Sequence, residues 1–158
     1  MKKRFMLTAA GAAATGFAGA AHAEVVNMEN GLDRWYNEHS WQVVSSSGLT
    51  VASMAGGSYT GVDSFSYVSD SVNSSIAGTV YGTMDLASGT YTVNMQDSWG
   101  DGWAWGSYVG YLIIGSGSGT ILSGSSGSFS FTVGGGVPAP GALALLGLAG
   151  VAGARRRK

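Results

Sequence analysis

Tyr91-Thr92-Val93-Asn94-Met95-Gln96 sets a large apolar side chain at every second position with a smaller polar one between. A period of two puts one face in a core and the other in water, the pattern of a half-buried β-strand. The alternation ends at Asp97-Ser98-Trp99-Gly100-Asp101-Gly102-Trp103, an acidic, glycine-bearing turn. Residues 41–45, 49–54, 62–68, 76–86, 107–114 and 128–133 repeat the pattern, and the quoted strand itself is predicted over 89–96. Gly56-Gly57, Ser88-Gly89 and the Gly/Ser run 115–119 punctuate these stretches. Helical periodicity is scarce; residues 32–39 alone suggest one helical turn, with Asp33 as its cap. Short alternating strands at this spacing predict an all-β fold, a single jelly-roll-like β-sandwich domain over residues 24–133.

Both ends of the chain differ in kind from this core. Lys2, Lys3 and Arg4 precede an apolar run over 5–20, and Ala21-His22-Ala23 has the small-x-small cleavage form. Residues 1–23 therefore read as a secretory signal peptide, helical when bound, with Glu24 as the mature N-terminus. At the other end, Gly134 to Gly136 form a flexible joint. Val137, Pro138, Ala139 and Pro140 follow, then an apolar run over 141–154 and the cluster Arg155, Arg156, Arg157, Lys158. As a helix, 141–154 spans roughly 21 Å at about 1.5 Å per residue. A bilayer core is about 30 Å thick and wants ~20 apolar residues, so the tail is a marginal span. The basic cluster should stay on the cytoplasmic side, and the tail reads as a transient inner-membrane anchor. An uncut C-terminal anchor is the rival reading. A GPI signal needs a polar spacer of about 8–12 residues, and Val137 to Pro140 does not supply one.

A short proline motif, an apolar helix and a terminal Arg cluster, in that order over residues 137–158, resemble the PEP-CTERM sorting signal of Gram-negative bacteria. The resemblance implies recognition and removal of the tail by an exosortase-type membrane protease. It also implies a destination at the cell surface and an association with exopolysaccharide. The usual motif has Glu between the prolines, where this chain has Ala139; that departure bears on the cleavage position.

All nine carboxylates lie between Glu24 and Asp101, whereas Arg34 is the one Lys or Arg of residues 24–136. Processing at both ends thus converts a precursor of net charge −1 into a domain of net charge −8, one cation against nine anions. Such a domain argues against nucleic-acid binding, which needs a basic face, and suits secretion or divalent-cation binding. With no cysteine, disulfides and thiolate sites are excluded.

Chemistry concentrates in the loop after the quoted strand. Asp97, Asp101 and Gly102 stand at the spacing of positions 1, 5 and 6 of an EF-hand loop, but Trp99 and Tyr108 occupy positions 3 and 12, so it is not an EF-hand. Two readings stay open. Asp97 and Asp101 bind Ca²⁺ with backbone carbonyls and a distant Asp63, Asp70 or Asp85 completing the oxygen shell, or they bond their own backbone in Asx turns. Trp99, Trp103 and Trp105 offer rings on which a sugar could stack, against the alternative that two of the three belong to the core. Catalysis has little to work with. His39 is the one histidine of residues 24–136 and is expected to be solvated, no G-x-S-x-G elbow is present, and zinc would lack ligands.

The segment 89–114 resembles an Asp-Ser-x-Gly-Asp-Gly-Trp phrase of secreted β-sandwich proteins. Glu29-Asn30-Gly31-Leu32-Asp33-Arg34-Trp35 is similar to the first strand region of secreted jelly-roll domains. The expectation is a non-enzymatic surface or extracellular-matrix protein. A carbohydrate-binding module, calcium-dependent or not, is the first alternative, and a small glycan-acting enzyme the second.

Overall fold

The computed structural model describes residues 23–71 and 73–134. Twelve strands fill it: β1 (Ala23–Asp33), β2 (His39–Ser45), β3 (Thr50–Ala55), β4 (Ser58–Thr60), β5 (Ser64–Ser69), β6 (Ile76–Ala87), β7 (Gly89–Asp97), β8 (Ala104–Trp105), β9 (Tyr108–Val109), β10 (Tyr111–Ile114), β11 (Gly117–Gly119) and β12 (Ser126–Val133). One 3₁₀ turn, Tyr36–Glu38, is the sole helical element among the described residues, and no described helix is long and apolar enough to cross a membrane. The expected signal and tail helices lie outside the described residues, apart from Ala23, which opens β1.

Two five-stranded antiparallel sheets form, ordered β11-β10-β1-β6-β5 and β12-β7-β2-β3-β4, with β8-β9 as a small separate ribbon. In the second sheet β2, β3 and β4 follow in sequence and β7 returns beside β2, a Greek-key order. Alternate residues of both sheets meet in one core: Val26, Met28 and Leu32 from β1, Met84 and Leu86 from β6, Trp41 and Val43 from β2, and Val93 and Met95 from β7. The strand quoted first behaves as its period requires, with Tyr91, Val93, Met95 and Asp97 buried and Thr92, Asn94 and Gln96 exposed.

The all-β sandwich matches the sequence expectation, with several changes in its elements: β4 and β8 are strands where none was expected, and β11 forms inside the Gly/Ser run 115–119 that was expected only to punctuate. The stretch 107–114 is two strands, because Gly110 donates its N–H to Trp103 O and turns the chain from β9, paired with β8, to β10, paired with β1. β1 extends far beyond the Glu29–Trp35 likeness and runs through the middle of its sheet, between β10 and β6. Its alternation is masked because the inward series Val26, Met28, Asn30, Leu32 includes a polar residue.

Candidate functional site

One end of the sandwich gathers the ends of β1 and β7 and the start of β2. β1 closes on Asp33 and β7 on Asp97, and both side chains are buried. Each Oδ1 accepts the backbone N–H two residues on, Asp33 from Trp35 and Asp97 from Trp99, both at 2.8 Å. These are two Asx turns of the same Asp-x-Trp form, and each throws its tryptophan out of the sheet. Asp33 caps in this way rather than as an N-cap of the 3₁₀ turn, whose N-cap is Trp35 without a side-chain bond.

Antiparallel pairing sets His39 opposite Asp97. That register lays Glu38 against the loop after β7, where Ser98 N–H donates to Glu38 O at 3.1 Å. The β7–β8 loop turns on Gly100 and Gly102, with φ +82° and +98°. A Cβ on Gly102 would lie 2.7 Å from Ile121 O, so both the backbone angle and the space call for glycine.

The result is a cleft of about 220 Å³ lined by Trp35, Glu38, Trp99, Asp101 and Trp105. Trp99 is 79% exposed, and Trp105 meets Trp35 edge to face with centroids 5.7 Å apart. Arg34 sits over the Trp35 ring, 5.5 Å from its centroid. Ligand pockets usually run ≈300–1,000 Å³, so this cleft suits a single ring rather than an engulfed oligomer. Two larger grooves of about 410 Å³ are present among the described residues: one crosses β5 and β6 and is lined by no Asp, Glu, His, Lys or Arg, and the other is lined by Ser40, Gln96, Asp97, Ser98, Ser125 and Ser126.

Trp103 does not join that cleft. It is wholly buried, stacks on His39 at 4.6 Å and 17°, and donates Nε1–H to Gln96 O at 3.2 Å. The expected sugar-platform role for Trp103 is therefore corrected: it is core, and Trp35 takes its place beside Trp99 and Trp105. His39 is corrected too. Instead of being solvated it is 1% exposed, since it shares the inward series of β2 with Trp41 and Val43, and its Nε2 lies 3.2 Å from Asp33 Oδ1.

One carboxylate oxygen from each of Glu38, Asp97 and Asp101 lies within 4.8 Å of the others. Asp97 Oδ1 accepts from Trp99 and Gly100, the latter at 2.6 Å, so the Asx-turn reading holds for that oxygen. Its Oδ2 is buried without a hydrogen-bond partner. Burial first, then the charges of Asp97 and Asp101, raise the Glu38 carboxyl above its ordinary value. Asp63, Asp70 and Asp85 do not supply the third acid. Asp63 Oδ2 accepts Asp85 N–H at 2.9 Å, and Asp70 Oδ1 accepts Asn73 N–H at 3.2 Å. The third acid is Glu38. The repeated Asp-x-Trp at 33–35 and 97–99 was a signal for Trp35, whereas nothing in the sequence marked Glu38.

Ala23 and Glu24 of the expected cleavage site are exposed at the start of β1. Ala21 lies outside the described residues, as do the sorting-motif residues Val137, Pro138, Ala139, Pro140, Arg155, Arg156, Arg157 and Lys158. No protein family, curated protein or solved structure matches the chain.

Proposed function

We propose that this is an exported, non-enzymatic bacterial envelope protein whose sandwich holds a carbohydrate of the extracellular matrix in the tryptophan cleft. The observation that carries the reading is the convergence of Trp35, Trp99 and Trp105 with Glu38 and Asp101 on one small opening. An indole face stacks on the apolar C–H face of a sugar ring, and flanking carboxylates accept its hydroxyls. The jelly-roll likeness of the Glu29–Trp35 phrase fits a Greek-key sandwich that presents ligands at its loop ends. Export and release rest on the signal-peptide pattern and the PEP-CTERM-like tail, with an exosortase-type protease as the processing partner.

The non-enzymatic reading is supported by how two of the acid and base groups, His39 and Asp97, are held. His39 is shut between Trp103 and Asp33, and Asp97 is 3% exposed with Oδ1 engaged by two N–H groups. Neither can reach a substrate atom, as a general base or a glycosidase acid must. A glycan array probed with the full-length chain tests the proposal. Binding that drops at least about tenfold in Trp99→Ala, equivalent to ~1.4 kcal/mol, with an unchanged far-UV spectrum, is expected. Absence of binding to any glycan overturns it, and glycan turnover that Asp101→Asn abolishes would make the cleft an active site.

A second reading, a self-assembling matrix protein, is favoured by β5. All six of its residues are exposed, Phe65, Tyr67 and Val68 among them, and it pairs on one side only, with β6.

A further inference from the structure

We infer that Glu38, Asp97 and Asp101 form a calcium site whose two outer ligands, Glu38 and Asp101, are the acidic wall of the tryptophan cleft. The three ligand oxygens come from separate places, the 3₁₀ turn, the end of β7 and the β7–β8 loop, yet lie within 4.8 Å of one another. Two oxygens bound to one Ca²⁺ at 2.3–2.6 Å can stand at most about 5 Å apart, and three evenly spread ones about 4.5 Å, so one ion reaches all three with a shift of a few tenths of an ångström by the exposed Asp101 side chain.

The cluster alone would be a weak argument, since neighbouring surface acids are common. Asp97 supplies the independent observation. It is 3% exposed, its Oδ1 is filled by the Trp99 and Gly100 N–H groups, and its Oδ2 is buried with no hydrogen-bond partner. A buried carboxylate oxygen left unpaired carries a large desolvation cost. No Lys or Arg among the described residues forms an ion pair with any of the three carboxylates. A cation bound between Glu38 and Asp101 at the mouth would offset the cost of the buried Asp97 carboxylate and neutralise the mutual repulsion of three acids.

The donor set is oxygen only, which selects a hard cation. The ligands sit on a turn and a glycine-hinged loop, with room for water on the cleft side, an irregular shell that suits Ca²⁺ better than the strict octahedron of Mg²⁺. Affinity should fall in the range of extracellular modules, about 10⁻⁴–10⁻³ M.

The consequence for the cleft rests on the carbohydrate reading above. Glu38 and Asp101 are at once ion ligands and cleft lining. Bound Ca²⁺ would fix the loop that carries Trp99 and would turn a repulsive wall into an acceptor for sugar hydroxyls or uronate carboxylates. An acidic domain thereby gains a route to an acidic polysaccharide.

Terbium luminescence on the full-length chain tests the site, because Trp35, Trp99 and Trp105 line the same cleft and would sensitise a bound lanthanide. The expected result is tryptophan-excited Tb³⁺ emission displaced by Ca²⁺ and far less by equal Mg²⁺. A Tm rise of roughly 5 °C is expected at about 5 mM Ca²⁺. Glu38→Gln and Asp101→Asn, both on the rim and away from the core, should each lose most of the emission while keeping the far-UV spectrum. In EDTA, Glu38→Gln should melt above the wild type, since one of three mutually repelling charges is gone, and in Ca²⁺ it should melt below. No Tm rise and no sensitised emission overturns the site, as does emission unchanged in both variants. Ca²⁺ binding with glycan capture indifferent to EDTA overturns the calcium dependence of the cleft. Ca²⁺ binding with no glycan captured at all upholds the ion site and sinks the carbohydrate reading instead.

Discussion

At the residue scale, the buried polar groups show how the fold is held together around the candidate site. Asn30 is wholly buried in β1 and its side chain makes three hydrogen bonds. Its Nδ2–H donates to Tyr111 O at 3.0 Å, and its Oδ1 accepts from Trp41 Nε1–H at 3.1 Å and Tyr59 O–H at 3.0 Å. Asn30→Leu would strand two donors in the core. An unpaired buried donor costs ≈1–3 kcal/mol, so the variant should lose about 3 kcal/mol, read from urea unfolding as a lower midpoint at constant slope. Gly102 is the second such position. Gly102→Ala must adopt φ near +98° with its Cβ against Ile121 O. A loss of roughly 1–3 kcal/mol is expected, together with weaker glycan capture, because the loop that carries Trp99 and Asp101 turns there. A thermal melt superimposable on the wild type would refute that account. The sequence already marked Gly102 as a sharp-turn residue after Asp101; the close approach of Ile121 lay in the tertiary structure alone.

At the element scale, strand edges and registers decide what the molecule can meet. β5, Ser64–Ser69, carries no charge and offers one unpaired edge. Such an edge is a template for another strand unless a charge blocks it. Under the self-assembly reading, Val68→Lys should shift the sedimentation profile toward monomer at high protein concentration, while stability stays within about 0.5 kcal/mol because Val68 is 56% exposed. An unchanged sedimentation profile would count against assembly through this edge. The β2–β7 register has a different consequence. By placing His39 opposite Asp97, it is the contact that carries Glu38 to the β7–β8 loop. A slip of β7 by one residue would turn Asp97 outward with the rest of its face and dismantle the acid cluster. Alternation within β7 reveals which residues point inward; it holds no information about which strand lies alongside.

At the scale of the whole molecule, charge and sorting are properties of the full chain. Seven of the eight Lys and Arg lie outside 24–136, so the proposed processing at both ends would leave a domain of net charge −8. Deleting residues 137–158 should abolish retention at the envelope, read by fractionating cells and medium, and mass spectrometry of the processed wild-type protein should find Lys158 missing. A destination unchanged by the deletion would reject the sorting proposal. The strands were legible in the sequence because period-two alternation is local, and β2, β3, β5, β6, β7 and β12 fall within two residues of where it places them. β1 was largely hidden because Asn30 interrupts its apolar face and serves as a hub instead. The loop acids Asp97 and Asp101 and the exposed rings Trp99 and Trp105 could be named from spacing and residue type. Burial of Trp103 and His39, and the recruitment of Trp35 and Glu38, could not. The chain by itself settles composition, alternation and turn chemistry, since each depends on neighbours a few residues away. The site is assembled by pairings between segments far apart in sequence, and only the folded sheets bring two Asp-x-Trp turns to one end and fix which side chains face the cleft.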